Sequence, residues 1–90
     1  MEIAWDPDKA LSNFNKHGVR FSEAESVLYD PLALTIEDED AEDEQRFVSL
    51  GTDSLSRILV VVYSYRTDQI RLISARKAEK NEKRSYEERI

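Results

Sequence analysis

The sequence contains no cysteine, two glycines, two prolines and a single histidine among 90 residues. Without cysteine no disulfide framework can form. No apolar run approaches the roughly 20 residues that a helix needs to cross a bilayer. The first ten residues, MEIAWDPDKA, lack the cationic lead and apolar stretch of a secretory signal. These absences predict a cytoplasmic protein that does not contact a membrane.

The length and composition predict one globular domain over residues 1–90. A chain of this size lies near the lower end of what supports its own core, so a second domain does not fit. Hydrophobic residues make up 40% and charged residues 36% of the chain. This balance is typical of a folded domain with a heavily charged surface rather than of a disordered segment.

The charge is unevenly distributed along the chain. The formal net charge of -6 argues against nucleic-acid binding, because phosphate contacts depend on Lys and Arg. However, seven of the 19 acidic residues lie in the stretch IEDEDAEDEQ, whereas residues 46–90 contain ten Lys or Arg against six Asp or Glu. This asymmetry is a sign of a face that binds a polyanion or an acidic partner, and its alternative is an ordinary solvated surface.

A first helix is predicted from Pro7 to His17. Asp6 is suited to cap its start, and proline is favoured at the first helical position. Gly18 stands where a left-handed residue commonly ends a helix, and Lys16 and His17 place positive charge in the last turn, where it suits the helix dipole.

A second helix is predicted to begin at Ser22. Glu25, three residues later, would complete a capping box, and Phe21 would act as the hydrophobic staple. Asp30 and Pro31 end this helix, because the residue before proline is disfavoured in helical conformation.

Four strands and a final helix are predicted in the rest of the chain. The strands cover residues 32–36, 46–51, 57–66 and 70–76, and the charged helix runs from residue 77 to the end. With the short apolar start, MEIAW, the order becomes β-α-α-β-β-β-β-α. The fold class is α+β, with a four- to five-stranded antiparallel sheet, two N-terminal helices on one face and a C-terminal helix.

Several segments resemble the BrnT family of bacterial type II toxins, small ribonucleases with a RelE-like fold. The matching stretches run from Trp5 to Glu87: WDPDKA, NFNKHGVRFSEA, DPLAL, QRFVSLG and RLISARKAEKNEKRSYE. The resemblance implies an endoribonuclease toxin that inhibits translation and growth. It also implies a heteromeric complex with a BrnA-like antitoxin, through which alone DNA is contacted, and no cofactor.

RNA cleavage without a metal needs a proton acceptor, a proton donor and cations around the phosphorane. We assign catalytic roles to His17, because an imidazole can both accept and donate a proton, and to Arg46 and Arg76, whose guanidinium groups can bind a phosphate through two hydrogen bonds. The alternative for His17 is that it only caps the C-terminal end of the helix, where the helix dipole stabilises it. The alternative for each arginine is a pair with a carboxylate of residues 42–44 or of the final helix.

Four further residues are expected to bind RNA. Lys16 is a phosphate contact or a solvated lysine, and Ser74 is a phosphate donor or a small residue that lets a helix approach. Arg71 is a secondary phosphate contact or a helix-packing residue, because strict alternation places it on the strand face opposite Arg76. Tyr86 stacks on a base, or anchors its helix to the sheet.

The acidic stretch is not expected to hold a metal, because it lacks the spacing of a calcium loop. Either it mimics RNA and shields a basic face, or it meets a basic segment of the antitoxin. The alternative function for the whole chain, favoured by its acidic balance, is a non-catalytic module with the toxin fold that binds the antitoxin and acts as a co-repressor.

Overall fold

The computed structural model describes residues 2–42 and 44–89, which form a five-stranded sheet and three α-helices. In chain order the elements are β1 (Glu2–Ala4), α1 (Pro7–His17), α2 (Phe21–Ala24) with a following 3-10 segment (Glu25–Tyr29), β2 (Leu34–Glu37), β3 (Gln45–Thr52), β4 (Ile58–Arg66), β5 (Gln69–Lys77) and α3 (Lys80–Glu87). The strand order in the sheet is β1-β5-β4-β3-β2. The α+β prediction is confirmed.

The sheet is mixed, which corrects the prediction of a wholly antiparallel one. Strands β2 to β5 follow one another in antiparallel pairs, as their short connections predict. Strand β1 lies parallel to β5, with Ile3 opposite Ile70. The first strand comes before two helices and is far from β5 along the chain, so no hairpin constrains its direction.

Helix α1 has the predicted bounds because its two ends carry strong local signals. The Asp6 carboxylate accepts a hydrogen bond from the Asp8 amide at 2.8 Å. At the other end Gly18 has φ +71°, and its amide donates to the carbonyl of Phe14 at 2.8 Å.

Helix α2 begins one residue earlier than predicted and has a different cap. Arg20 is the capping residue, and its amide donates to the Glu23 carboxylate at 3.2 Å, so Glu23 and not Glu25 completes the box. Phe21 lies inside the helix and is buried in the core rather than stapling its outside. The 3-10 segment that follows α2 runs to Tyr29, and Asp30 caps it, so the helical region ends where predicted.

The core lies between one face of the sheet and the layer formed by α1, α2 and the 3-10 segment. Its buried members are Val19, Phe21, Ala24, Val27, Leu59, Val61, Tyr63, Ile70, Leu72 and Ala75. We call the opposite side of the sheet the open face. Residues directly opposite in paired strands lie on the same face, so the open face carries Arg46, Val48 and Leu50 of β3 together with Val60, Val62 and Ser64 of β4.

A β-bulge changes which residues of β5 lie on the open face. Val62 is opposite Ser74, but its neighbour Tyr63 is opposite Leu72, so Ile73 is an extra residue without a partner in the register. An inserted residue reverses the alternation of side chains beyond it.

The bulge places Arg71 and Arg76 on the same face, and the predicted opposition of these two arginines is therefore wrong. Arg71 is opposite Ser64 and Arg76 is opposite Val60, both residues of the open face. Ala75, which strict alternation grouped with Arg71, is instead fully buried in the core.

Candidate functional site

A row of polar side chains crosses three strands of the open face. Arg46 of β3 is opposite Ser64 of β4, and Ser64 is opposite Arg71 of β5. Ser64 is 0% exposed. Within residues 2–42 and 44–89, neither the Ser64 hydroxyl nor the buried Nε of Arg46 has a hydrogen-bond partner. We call these three residues the cationic row; it combines two guanidinium groups with an unused hydroxyl between their strands.

Glu44 lies between two arginines beside the cationic row. Its carboxylate accepts a hydrogen bond from Arg66 at 3.1 Å and is 3.7 Å from the guanidinium of Arg46. The hydrogen bond and charge of Arg66, followed by the charge of Arg46, lower the pKa of Glu44 below its ordinary value, against an opposing effect of desolvation. These arginines thus already bind one anionic group, which shows the kind of ligand they suit.

The structure brings three of the predicted residues, Lys16, His17 and Ser74, together at the part of the β5 edge that β1 does not cover. A shallow depression of about 220 Å³ is lined by Lys9, Ser12, Asn13, Lys16, His17, Ile73 and Ser74. His17 and Lys16 end α1, as predicted, and the bulge places Ser74 beside them. Ser74 is opposite Val62, two residues before Ser64 on β4, so it lies about 7 Å from the cationic row along the strand direction.

Arg76 is separated from the cationic row. Its partner Val60 is four residues before Ser64 on β4, a distance of about 13 Å along the strand. Both of its terminal nitrogens donate to Glu82 of α3, at 2.8 and 2.9 Å. These hydrogen bonds raise the pKa of Arg76 and lower that of Glu82. Both arginines assigned to catalysis therefore have the carboxylate neighbours that the alternative expected, Arg46 loosely and Arg76 closely.

Tyr86 is 5% exposed and anchors α3 to the rest of the molecule. Its hydroxyl donates to the carboxylate of Asp30 and accepts from the Thr52 hydroxyl at 3.0 Å. The hydrogen bond to Asp30 raises the pKa of Tyr86. This placement favours the anchoring alternative, because a buried ring cannot stack on a base without undocking the helix.

The sequence reasoning did not identify Ser64 and Arg66. Ser64 interrupts the apolar run of β4 and Arg66 ends it, which is a weak signal, and only the pairing of β4 with both neighbours places them beside Arg46 and Arg71. In the described part of the chain, no group of three or more His, Asp or Glu side chains is arranged to hold a metal ion. No helix there is long and apolar enough to span a membrane.

Comparisons with known proteins agree with one another on the family. The family model described as "Ribonuclease toxin, BrnT, of type II toxin-antitoxin system" matches residues 5–82. The crystal structure of the Brucella abortus ribonuclease toxin BrnT is similar in fold, with a TM-score of 0.69 and 25% sequence identity over 89% of this chain and 99% of that one. No curated protein sequence matches the chain. The match over most of its length shows that the chain belongs to the BrnT family of ribonuclease toxins of type II toxin–antitoxin systems.

Proposed function

We propose that this protein cleaves RNA without a metal ion and that the cationic row, Arg46–Ser64–Arg71, binds the phosphate that reacts. The observation that supports this most directly is the buried Ser64 hydroxyl, which has no partner in the described residues and stands in register between two arginines. A buried hydroxyl without a partner costs stability, and beside two cations it is a candidate donor to a phosphate. Because Ser64 is 0% exposed, the side chains that cover it must move before it can contact RNA.

The chemical step requires proton transfer as well as positive charge. The ribose 2'-oxygen forms a bond to phosphorus while the bond from phosphorus to the leaving 5'-oxygen breaks. A base takes the proton of the 2'-hydroxyl, and an acid protonates the 5'-oxygen. We assign proton transfer to His17, with Lys16 and Ser74 as phosphate contacts in the same depression. Arg46 and Arg71 stabilise the extra negative charge of the phosphorane.

We assign Arg76 to RNA contact rather than to the chemical step. Its backbone lies about 13 Å along the sheet from the cationic row, and its guanidinium is turned to Glu82 of α3. Its nearness to Glu82 keeps two donors occupied. Tyr86 is assigned to holding α3 and therefore, indirectly, to the position of Glu82.

The partner of this toxin is proposed to be a BrnA-like antitoxin that neutralises it and contacts DNA on behalf of the complex. The family supports this partner, and so does the lack of a basic reading helix in the part of the chain that the structure describes: α3, the most cationic helix there, also carries Glu82 and Glu87. We expect the complex in the cytoplasm, where the RNA substrate and the antitoxin are made.

A second function is favoured by the ion pairs of the site. Arg46 and Arg66 share Glu44, and Arg76 is held by Glu82, so these three cations of the open face already have anionic neighbours. A chain in which these pairs persist would bind the antitoxin and serve as a co-repressor without cleaving RNA.

The two functions are separated by incubating the purified chain with RNA in the presence of a metal chelator. For a nuclease, the wild type cleaves and Arg71→Ala loses activity by about a hundredfold, as when one charge-stabilising donor is removed from an active site. Arg84→Ala is the matched control, because Arg84 is an exposed arginine of α3 away from the row. If the wild type leaves RNA intact both with the chelator and with added Mg²⁺ while it still binds the antitoxin, the non-catalytic module is the correct function.

A further inference from the structure

The open face carries an apolar block beside the cationic row. Two cross-strand rows form it, Leu34–Leu50–Val60 and Ile36–Val48–Val62. Five of these six residues, with Glu82, line a depression of about 280 Å³ whose surface is almost wholly apolar. Ile36 is 68% exposed. Leu34, Val48, Leu50 and Val62 are half-buried and Val60 is buried, so the block is a partly exposed apolar surface centred on Ile36. An apolar patch that stays partly open to solvent is typical of an interaction surface.

An acidic segment adjoins this block. We call residues 37–42 the acidic loop; it carries Glu37, Asp38, Glu39, Asp40 and Glu42. Glu37 ends β2, directly after Ile36, and the amide of Asp38 donates to the carbonyl of Arg46 at 2.7 Å. The loop is thus held next to both the apolar block and the cationic row.

We propose that the apolar block and the acidic loop together form the docking surface for the antitoxin. The segment that docks there would carry apolar side chains flanked by Lys or Arg, which face the acidic loop. This proposal rests on the proposed function, because it takes the antitoxin as the partner. Complementary charge favours this occupant over the two others that a toxin meets, since RNA and a second copy of this acidic chain would both be repelled by the loop.

The geometry gives the docked segment a way to inhibit the enzyme. Successive rows of the open face are two residues apart, about 7 Å along the strands, whereas a helix or a second sheet layer is about 10 Å thick. A segment seated on the row Ile36–Val48–Val62 therefore extends over the next row, Arg46–Ser64–Arg71. The antitoxin and RNA are then competitors for one face, and inhibition needs no change in the toxin's structure.

The first test changes the most exposed apolar residue of the block. Ile36→Asn should weaken binding of the antitoxin encoded in the same operon by about tenfold to a hundredfold, as for loss of an interface anchor. Leu55→Asn is the matched control, because Leu55 is 57% exposed in the turn between β3 and β4, outside the open face. Titration calorimetry measures the Kd, and thermal melts check that both variants fold.

The second test changes the charge alone. The triple variant Glu39→Gln, Asp40→Asn and Glu42→Gln should slow association with the antitoxin and reduce its dependence on salt. Its matched control removes three exposed acidic charges elsewhere, by Asp68→Asn, Glu87→Gln and Glu88→Gln, and should leave both measurements near those of the wild type.

The outcomes separate this proposal from the proposed nuclease function. Unchanged antitoxin binding by Ile36→Asn and by the triple variant would overturn the docking surface, whether or not the chain cleaves RNA. So would a concentration-dependent dimer of the chain alone that Ile36→Asn abolishes without affecting the antitoxin. RNA cleavage by the chain without the antitoxin, measured on the same preparations, tests the nuclease function and not the docking surface.

Discussion

Asn13 pairs with the backbone of Ala75 in the way a neighbouring strand would. Its side-chain nitrogen donates to the Ala75 carbonyl at 2.8 Å, and its side-chain oxygen accepts from the Ala75 amide at 3.0 Å. The nitrogen also donates to the carbonyl of Val19 at 3.0 Å. Strand β1 covers β5 only as far as Arg71, so Asn13 closes part of the edge that β1 leaves open.

Asn13→Ala should destabilise the fold by about 2–4 kcal/mol, because three hydrogen bonds are lost and buried backbone groups of β5 are left without partners. Asn15→Ala, two residues along the same helix at an exposed position, should change the free energy of unfolding by less than about 0.5 kcal/mol. Urea denaturation of the two variants measures the difference. Equal stability would show that the Ala75 edge is adequately hydrated without Asn13.

The ends of α1 could be predicted from the sequence, whereas the shape of the site could not. The cap at Asp6 and the left-handed Gly18 act over a few neighbouring residues, so the chain shows them directly. The bulge at Ile73 depends on how β5 aligns with β4, and the sequence around Ile73 contains no signal that predicts a bulge. For this reason the face of Arg71, and with it the cationic row, became visible only with the strand register.

The buried hydrogen bonds of Tyr86 could not be predicted from the sequence either. Asp30, Thr52 and Tyr86 come from three distant segments, and Tyr86 can bond to the other two only once α3 packs against the sheet. The sequence predicted that Tyr86 either anchors a helix or contacts RNA; it contained nothing that selects between these alternatives.

Ser64→Ala should separate activity from stability. The hydroxyl is buried and has no partner in the described residues, so its removal should leave the free energy of unfolding unchanged or raise it by about 1 kcal/mol. If the cationic row binds the reacting phosphate, RNA cleavage should fall by about tenfold or more, as for loss of one hydrogen bond to a charged group. Thermal melts and a cleavage assay on one preparation measure both quantities.

Ser49→Ala is the control for Ser64→Ala, because Ser49 is a buried serine of the helix-facing side whose hydroxyl is bonded to Thr35 and Tyr63. It should lower stability and spare the specific activity of the folded fraction. Full cleavage activity in Ser64→Ala would remove the hydroxyl from the proposed phosphate site.

The pair of Arg76 and Glu82 should make stability depend on acid pH. The hydrogen bonds from Arg76 lower the folded-state pKa of Glu82 below its ordinary value of 4.5. The pair's contribution is therefore fully present above about pH 4.5 and is lost as the pH falls through the lowered pKa. In Glu82→Gln this loss is absent, while the amide oxygen can still accept from the Glu79 amide in the capping box.

Denaturant unfolding at pH 7 and at pH 3 tests this dependence. The wild type should be more stable than Glu82→Gln at pH 7, by on the order of 1 kcal/mol for a partly exposed pair, and the difference should be smaller at pH 3. Glu87→Gln, an exposed position of the same helix, should follow the wild type at both pH values. A difference of equal size at pH 7 and at pH 3 would mean that Glu82 stabilises the fold through packing rather than through its charge.

The two glycines should respond to alanine for different reasons. A Cβ at Gly51 would lie 3.0 Å from Oδ2 of Asp30 and 3.1 Å from both Val27 and Ala33, so the 3-10 segment and the turn after it would have to move. The expected cost is about 1–3 kcal/mol, as for overpacking. Because Asp30 also accepts from Tyr86, the displacement should loosen α3, which limited proteolysis would detect as earlier cleavage after its lysines and arginines.

At Gly18 a Cβ meets nothing within 4 Å, and the cost of about 1–2 kcal/mol comes from the left-handed backbone alone. Gly18→Ala should therefore lower the melting temperature without exposing α3 to the protease. Early cleavage of α3 in both Gly18→Ala and Gly51→Ala would show that lower overall stability, and not a displacement of Asp30, loosens the helix.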